Sequence, residues 1–370
     1  MIRPERNLAT TVLAILALLV GLLAWWGWGG GARTPRTGTL ASELTEGEFA
    51  ATDLSLQGAP ERAGAASLAA LLEIIDRPAL QQLERHFSAE LADDPDNGEL
   101  LSNLCEAQRL LGHFEEAADH GGRAVELLPG DGRAHHLYAK ALGEQMRNGG
   151  VFTAIRLVGT YRDEMATAVA LNPQNFRARA EQVAFLLYMP SIGGGDKEEA
   201  AQLADQLEQD DPRWGALVQA LVCAENGDER GAVVICQRAL EGFPADQKLV
   251  VTLGGFLEDV GRSAEAEQQY AAVLRGTRSE AYYLALYQQA RLNIRRGQKL
   301  PASIASMEAF AAAAPYGEFI PPVPGAFYRI GSAWSQLNDR EKARAAYGRA
   351  LELDPDFERA QEALDKLGDG

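Results

Sequence analysis

The sequence has few of the residues that build metal sites and disulfide frameworks. It contains only three cysteines in 370 residues, and no two of them form a CxxC pair. Cysteines this few and scattered argue against a disulfide scaffold and a structural zinc site. His113 and His120 are seven residues apart, but His113 is expected in a turn, so the two imidazoles should not converge. We therefore expect no metal and no cofactor.

Catalytic motifs and basic clusters are also missing. GxSxG, HExxH, GxGxxG and P-loop sequences do not occur, so the sequence predicts a protein that is not an enzyme. Asp and Glu outnumber Lys and Arg by 52 to 35, which gives a formal net charge of −17. Nucleic-acid binding needs clustered cations that replace counterions on phosphates. The charge balance thus argues against nucleic acid and leaves proteins or peptides as the expected partners.

The one long run without charge lies near the N-terminus. Residues 8–28 read LATTVLAILALLVGLLAWWGW, which is 21 residues. A helix of this length reaches about 31 Å, enough for the hydrocarbon core of a bilayer. The tryptophans at its end suit the membrane interface. The run predicts a transmembrane signal anchor preceded by a flank at 1–7, and removal as a cleaved signal is the alternative.

The orientation of this anchor is weakly encoded, because arginines lie on both sides of it. Its position at the extreme N-terminus favours a single-pass protein of the cytoplasmic membrane with its body outside, in the periplasm of a bacterium. Secretion after cleavage is the alternative. Residues 29–64 are rich in Gly, Thr, Ser, Ala and Glu without a sustained period, which predicts a flexible linker.

The remaining sequence consists of helical patterns separated by turn signals such as LNPQN and LDPD, with no run of strands. One unit recurs, and its clearest copy starts at Pro324. Seven positions define that copy: Phe327, Gly331, Trp334, Ala343, Tyr347, Ala350 and Pro355. The small residues let two antiparallel helices approach closely, and the large ones fill the remaining space.

These positions resemble the tetratricopeptide repeat consensus. Pro95 and Pro129 are 34 residues apart, which is the period of this family. The resemblance covers residues 65–357, where we expect about eight helix hairpins, followed by a capping helix at 358–370. It implies an all-α, right-handed superhelix whose concave groove, lined by the first helices, holds peptides or partner proteins. Insertions are expected near 145–153 and 191–195.

The repeat register points four basic residues into this groove: Arg133, His136, Lys140 and Arg177. They predict a basic spot for an acidic peptide or a C-terminal carboxylate, and ordinary solvated helix charge is the alternative. They do not match the Lys/Asn clamp of the chaperone-binding members of the family. The next first helix presents Trp214, Leu217 and Leu221, which predict either an apolar pocket or part of the core.

Two further features carry hypotheses. The loop residues Gly193, Gly194, Gly195 and Asp196 form either a backbone nest for an anion or an enlarged turn. Cys223 and Cys236 are expected on the facing helices of one hairpin. They can form a disulfide in an oxidising compartment if their Cα atoms lie within about 7 Å, and otherwise they act as small apolar residues.

Together these features predict a membrane-anchored, non-catalytic scaffold that binds protein or peptide partners in its groove. One alternative is a fixed structural subunit of an envelope assembly or secretion complex. Another is a transporter accessory that binds an anion or a small molecule through the glycine loop. The partner and the oligomeric state are left open by the sequence.

Overall fold

The computed structural model describes residues 77–316 and 320–368, where every regular element is helical. Within these two ranges, sixteen α-helices follow one another: α1 Arg77–Asp93, α2 Gly98–Leu111, α3 Phe114–Leu127, α4 Gly132–Asn148, α5 Gly150–Leu171, α6 Phe176–Tyr188, α7 Lys197–Asp210, α8 Pro212–Glu225, α9 Glu229–Gly242, α10 Gln247–Asp259, α11 Ser263–Val273, α12 Glu280–Arg295, α13 Leu300–Ala313, α14 Val323–Gln336, α15 Arg340–Leu353 and α16 Glu358–Leu367. A 3₁₀ turn, Ser191–Gly193, lies between α6 and α7.

Helices α2 to α15 form seven successive hairpins, with α1 before them and α16 after them. This arrangement confirms the predicted all-α solenoid of tetratricopeptide type. The predicted signal anchor at 8–28, the linker at 29–64 and the start of the repeat array lie outside the described residues. No helix within 77–316 or 320–368 is both long and apolar enough to cross a bilayer.

Polar capping residues explain where many of the helices begin. In nine of the described helices, the side-chain oxygen of the N-cap residue accepts a hydrogen bond from the backbone N–H two or three residues further along. These N-cap residues are Asn97, Asp131, Asn175, Asp196, Asp211, Asp228, Asp246, Ser279 and Asp339. Each such cap contributes on the order of 1 kcal/mol. The turn signals in the sequence therefore act as start signals for the helices.

Close approach of paired helices explains the small signature residues. A Cβ added to Gly331 would lie 2.6 Å from the Tyr347 ring, and one added to Gly254 would lie 2.4 Å from the Tyr270 ring. Ala343 and Ala350 are fully buried in the α14/α15 hairpin. Phe327 and Trp334 are partly buried against the same core, and Pro355 follows the end of α15.

The solenoid curves until its first hairpin touches the segment after its sixth. The Tyr316 N–H donates to the Leu110 carbonyl at 2.8 Å, and the Tyr316 ring meets Phe114 edge to face at 5.3 Å. The Arg77 guanidinium lies 5.0 Å from the centre of the same ring and donates to the Ala311 carbonyl at 3.2 Å. These contacts join α1 and α2 to the end of α13 and partly enclose the inner side of the array.

Candidate partner-binding cavity

A cavity of about 500 Å³ lies among the first helices of the hairpins. All of its lining residues belong to α2, α6, α8, α10 and α12 or to the loops immediately before them. Its wall carries four cations, three carboxylates and one indole: Arg109, Arg177, Arg213, Lys248, Glu106, Asp246, Glu280 and Trp214. Helix starts supply most of this wall, because Asp246 caps α10 and Ser279 caps α12.

At the inner end of the cavity, acids and bases are buried together on α2 and α4. The Arg109 guanidinium donates to Glu106 at 2.7 and 2.9 Å, and Lys140 donates to the same carboxylate at 2.9 Å. Burial by itself would raise the pKa of Glu106, but Arg109 and Lys140 outweigh it and hold that pKa well below its usual value. The Arg109 guanidinium also forms an ion pair with Glu144 at 3.4 Å.

A second set of ion pairs links the third hairpin to the sixth. Glu181 receives His136 Nε2 at 2.6 Å and Arg177 Nε at 2.8 Å, while Arg177 also reaches Glu280 at 3.1 Å. Burial opposes ionisation of Glu280, yet Arg177 and Lys248 outweigh it and lower the pKa of Glu280 to about 2. Arg177 and Glu280 are 103 residues apart, so this pair forms only when the array curves.

Two of the cavity cations contact the Trp214 ring. Lys248 Nζ lies 4.8 Å and the Arg213 guanidinium 5.2 Å from the centre of a Trp214 ring. Arg213 also forms an ion pair with Asp246, and its side chain is 38% exposed, whereas that of Arg109 is 2% exposed. A ligand carboxylate can therefore approach Arg213 and Lys248 while an apolar ligand group packs on the indole.

The four basic residues that the sequence predicts in the groove lie in different environments in the structure. Arg177 lines the cavity. Lys140 and His136 lie behind the wall, with side chains 9% and 7% exposed and paired with Glu106 and Glu181. Arg133 donates to Asn103 Oδ1 at 2.7 Å. Buried carboxylates of the first helices thus pair with His136, Lys140 and Arg177, whereas Arg133 pairs with the Asn103 amide.

The three apolar groove candidates also separate. Trp214 lines the cavity, whereas Leu217 is 6% exposed and packs in the core with Ala216 and Leu249. Leu221 is partly buried between two core clusters. Of the two interpretations of this helix, the core accounts for Leu217, whereas Trp214 lines the cavity together with the apolar residues Leu110, Ala245 and Ala281.

Several cavity residues were not anticipated from the sequence: Glu106, Arg109, Arg213, Asp246, Lys248 and Glu280. One signal for the first two was present. Glu106 and Arg109 interrupt the apolar face of α2, in the sequence GELLSNLCEAQRLL, three residues apart. A charged pair at helical spacing inside an apolar face indicates a buried ion pair. The remaining four sit at helix starts that only the curvature brings together.

The backbone N–H groups of the glycine loop at 193–196 are hydrogen-bonded to nearby carbonyl groups of the chain. The N–H groups of Gly193, Gly194, Gly195 and Asp196 donate to carbonyls within 186–191 at 2.8–3.1 Å. The Asp196 side chain accepts from the Glu199 N–H and caps α7. A Cβ on Gly195 would lie 1.6 Å from the Met189 carbonyl oxygen, so only glycine fits there. These contacts favour the enlarged turn over the anion nest.

Cys223 and Cys236 are free thiols on α8 and α9. Cys236 is fully buried in the core, and burial raises its pKa to about 12. Cys223 is partly exposed and donates to the Asp228 carbonyl at 3.4 Å. Burial and Asp228 both raise the pKa of Cys223, so both thiols are held in the unreactive protonated form. A disulfide between them stays a prediction.

Comparisons with known proteins agree with the fold. Residues 324–357 match the sequence profile of the tetratricopeptide repeat family. Yeast Tom70 is similar in structure at 15% identity and a TM-score of 0.55, over 98% of this chain and 72% of that chain. Human IFIT1, solved as a dimer with PPP-AAAA, is similar at 15% identity and a TM-score of 0.50, over 79% of this chain and 69% of that chain.

A third structure, the APC/C hetero-tetramer Cut9–Hcn1, is 12% identical with a TM-score of 0.49, and the chain spans 54% of the matched Cut9–Hcn1 chain. No curated protein sequence matches the chain. At these identities the likeness concerns the fold alone.

Proposed function

We propose that this chain, whose fold is of the tetratricopeptide-repeat type, is a non-catalytic scaffold that captures a carboxylate-bearing peptide segment of a partner protein in the cavity. The repeat fold by itself suggests a protein-interaction scaffold. One observation supports the finer proposal. Trp214 lies in the cavity wall next to Arg213 and Lys248, and Arg213 is the most exposed of the four cavity cations.

The pairing of these groups suggests how a peptide binds. Arg213 pairs with Asp246, so an incoming carboxylate competes with Asp246 for the guanidinium. Lys248 lies 3.8 Å from Glu280, so a carboxylate bound at Arg213 also lies near this second cation and the indole. An apolar side chain next to the carboxylate covers the indole. Because three wall carboxylates remain close by, a peptide that also carries a cation fits better than a purely acidic one.

A binding assay with the full chain tests this proposal. Fluorescent peptides that end in a free carboxylate are titrated with the protein, next to the same peptides with an amidated C-terminus. We expect Trp214→Ala and Arg213→Gln to weaken binding about tenfold or more, equivalent to about 1.4 kcal/mol. Arg262→Gln is the matched control, because Arg262 pairs with Glu265 on the exposed side of α11.

The outcomes separate this proposal from its rivals. Equal binding of free and amidated peptides, or equal binding by the two cavity variants and the control, would contradict it. A stable complex that survives both cavity substitutions would instead support a fixed structural subunit. Binding of a small anion that depends on Gly194 or Asp196 would support a transporter accessory.

We further propose that residues 8–28 anchor the scaffold in the cytoplasmic membrane of a bacterium, with the repeats outside the cytoplasm. The uncharged length of this segment and its terminal tryptophans support an anchor. Reporters fused after Gly370 test the orientation. A reporter that works only outside the cytoplasm is expected to be active. Activity of a cytoplasmic reporter alone would overturn the orientation, and recovery of the protein in soluble form after cleavage would overturn the anchor.

A further inference from the structure

The second hairpin, α4/α5, is longer than its neighbours. Helix α5 has 22 residues, whereas the second helices α3, α7 and α9 each have 14. Eight further residues correspond to about 12 Å of helix. Only Gly149 separates α4 from α5, and both Gly149 and the first residue of α5, Gly150, are exposed. The predicted insertion near 145–153 thus extends this hairpin instead of forming a separate loop.

The added part of α5 exposes apolar side chains. Phe152 is 81% exposed and Ile155 is 57% exposed, which are the two highest values among the large apolar residues that the structure describes. Gly159 is also exposed and follows Phe152 by seven residues, so all three lie on one face of α5. Leu157 and Val158, on the other side of the helix, pack against the core. This face of α5 therefore has no partner within the described chain.

The charges around this face differ from those of the whole protein. Residues 145–162 contain no Asp or Glu, although the chain has a net charge of −17. The same stretch contains three exposed arginines: Arg147, Arg156 and Arg162. The flanking acid Glu144 is buried and pairs with Arg109 and Arg147, and Asp163 is the next acid on α5. We call Arg147, Phe152, Ile155, Arg156 and Arg162 the basic tip.

From these features we infer that the basic tip inserts Phe152 and Ile155 into the interfacial region of an anionic lipid bilayer. Two exposed apolar side chains are too few for a stable protein interface, which buries about 800 Å² on each partner. A bilayer interface needs no matching shape, and it accepts an apolar face that is flanked by cations. Anionic headgroups complement Arg156 and Arg162, while Arg147 already pairs with Glu144. This inference does not depend on what the cavity binds.

Insertion of the basic tip would fix how the array stands on the membrane. The anchor proposed at residues 8–28 would attach the chain to the bilayer at one point only. A second contact through α4/α5 would hold the solenoid in one orientation relative to the bilayer. The attraction depends on exposed charge, so it should weaken as salt shortens the Debye length to about 8 Å at 0.15 M.

The test uses the full chain reconstituted in vesicles of phosphatidylcholine alone or with phosphatidylglycerol. An environment-sensitive NBD dye is attached at Asn148→Cys, beside the basic tip, in a Cys223→Ser background. The matched label is Val234→Cys on α9, because Val234 is an apolar residue that is 52% exposed on another hairpin. We expect the dye at position 148, but not at 234, to shift to shorter wavelength with phosphatidylglycerol and to be quenched by brominated lipid.

Two variants separate the apolar and electrostatic contributions. Phe152→Ser with Ile155→Ser should abolish the shift, and exposed positions of this kind should leave the helix content unchanged in circular dichroism. Each Arg→Gln change should lower the affinity of the tip for anionic vesicles about fivefold. The inference is overturned if position 148 stays as solvent-exposed as position 234, or if the shift survives the double Ser variant. Protection at position 148 that needs an added protein and no lipid would also overturn it.

Discussion

Two helix contacts in the solenoid differ in chemistry: the contact between α14 and α15 within one hairpin, and the contact between α2 and α4, the first helices of two successive hairpins. In α14/α15 the contact consists of Gly331 against Tyr347, with fully buried alanines around it. Between α2 and α4 the contact includes Glu106, Arg109 and Lys140, whose side chains are at most 9% exposed. One interface is apolar and depends on shape. The other depends on ion pairs that must be complete to be tolerated.

This difference shows that the signature of the fold and the residues of the cavity lie in different parts of the sequence. The family profile matches residues 324–357, which is the hairpin whose interior follows the consensus. The cavity lies instead next to the charged interior, where α2 departs from an apolar pattern. A buried ion pair contributes little net stability. Removing one of its members is nevertheless costly, because the other charge is then left buried without a counterion. Three experiments test the contrast.

The largest effect is expected for Arg109→Met. This change leaves Glu106 and Glu144 buried without the guanidinium that both contact, and should lower the free energy of unfolding by about 3–5 kcal/mol. Arg349→Met is the control in α15, because its pair with Glu352 has side chains 52% and 66% exposed and should contribute less than about 1 kcal/mol. Urea titration of the full chain measures both. Similar losses in the two variants would refute the contrast.

A pH dependence of intermediate size is expected from Glu280. Its pKa of about 2 in the fold is below the ordinary value of 4.5, so the ionised carboxylate stabilises the folded state. This stabilisation is complete above pH 4.5 and is lost as the pH falls toward 2, by up to about 3 kcal/mol. Glu280→Gln should flatten the dependence of the free energy of unfolding on pH in this window. Identical slopes for the two proteins would show that Arg177 and Lys248 do not stabilise the carboxylate.

The smallest effect is a pair of opposite shifts within the apolar hairpin. Gly331→Ala should destabilise by about 1–3 kcal/mol, because its Cβ would lie 2.6 Å from Tyr347. Gly348→Ala should stabilise by about 0.5–1 kcal/mol, because a Cβ there meets nothing within 4 Å and alanine favours the helix. Hydrogen exchange of α14 and α15 reports both shifts. Equal responses at the two glycines would mean that close packing does not shape this hairpin.

Much of the fold was predictable because its determinants are local. Capping residues such as Asp339 and signature residues such as Gly331 and Tyr347 lie within one hairpin, so periodicity and spacing reveal them. The candidate site was predictable in part. Arg177 and Trp214 line the cavity as the repeat register suggested, whereas Leu217 is in the core. The repeat register predicts that a residue lies on the first helix of a hairpin. It does not predict whether a neighbouring helix buries that residue.

The sequence by itself determined the helical class, the repeat period and the positions at which helices begin, since each depends on residues less than one repeat apart. It also placed the uncharged segment at 8–28 and the acid-free stretch at 145–162. Only the tertiary structure decided which charges meet. The pair of Arg177 with Glu280 and the hydrogen bond of Tyr316 with Leu110 join distant repeats. Such contacts arise because small rotations between successive hairpins accumulate into the curvature of the array, and no local sequence pattern records that sum.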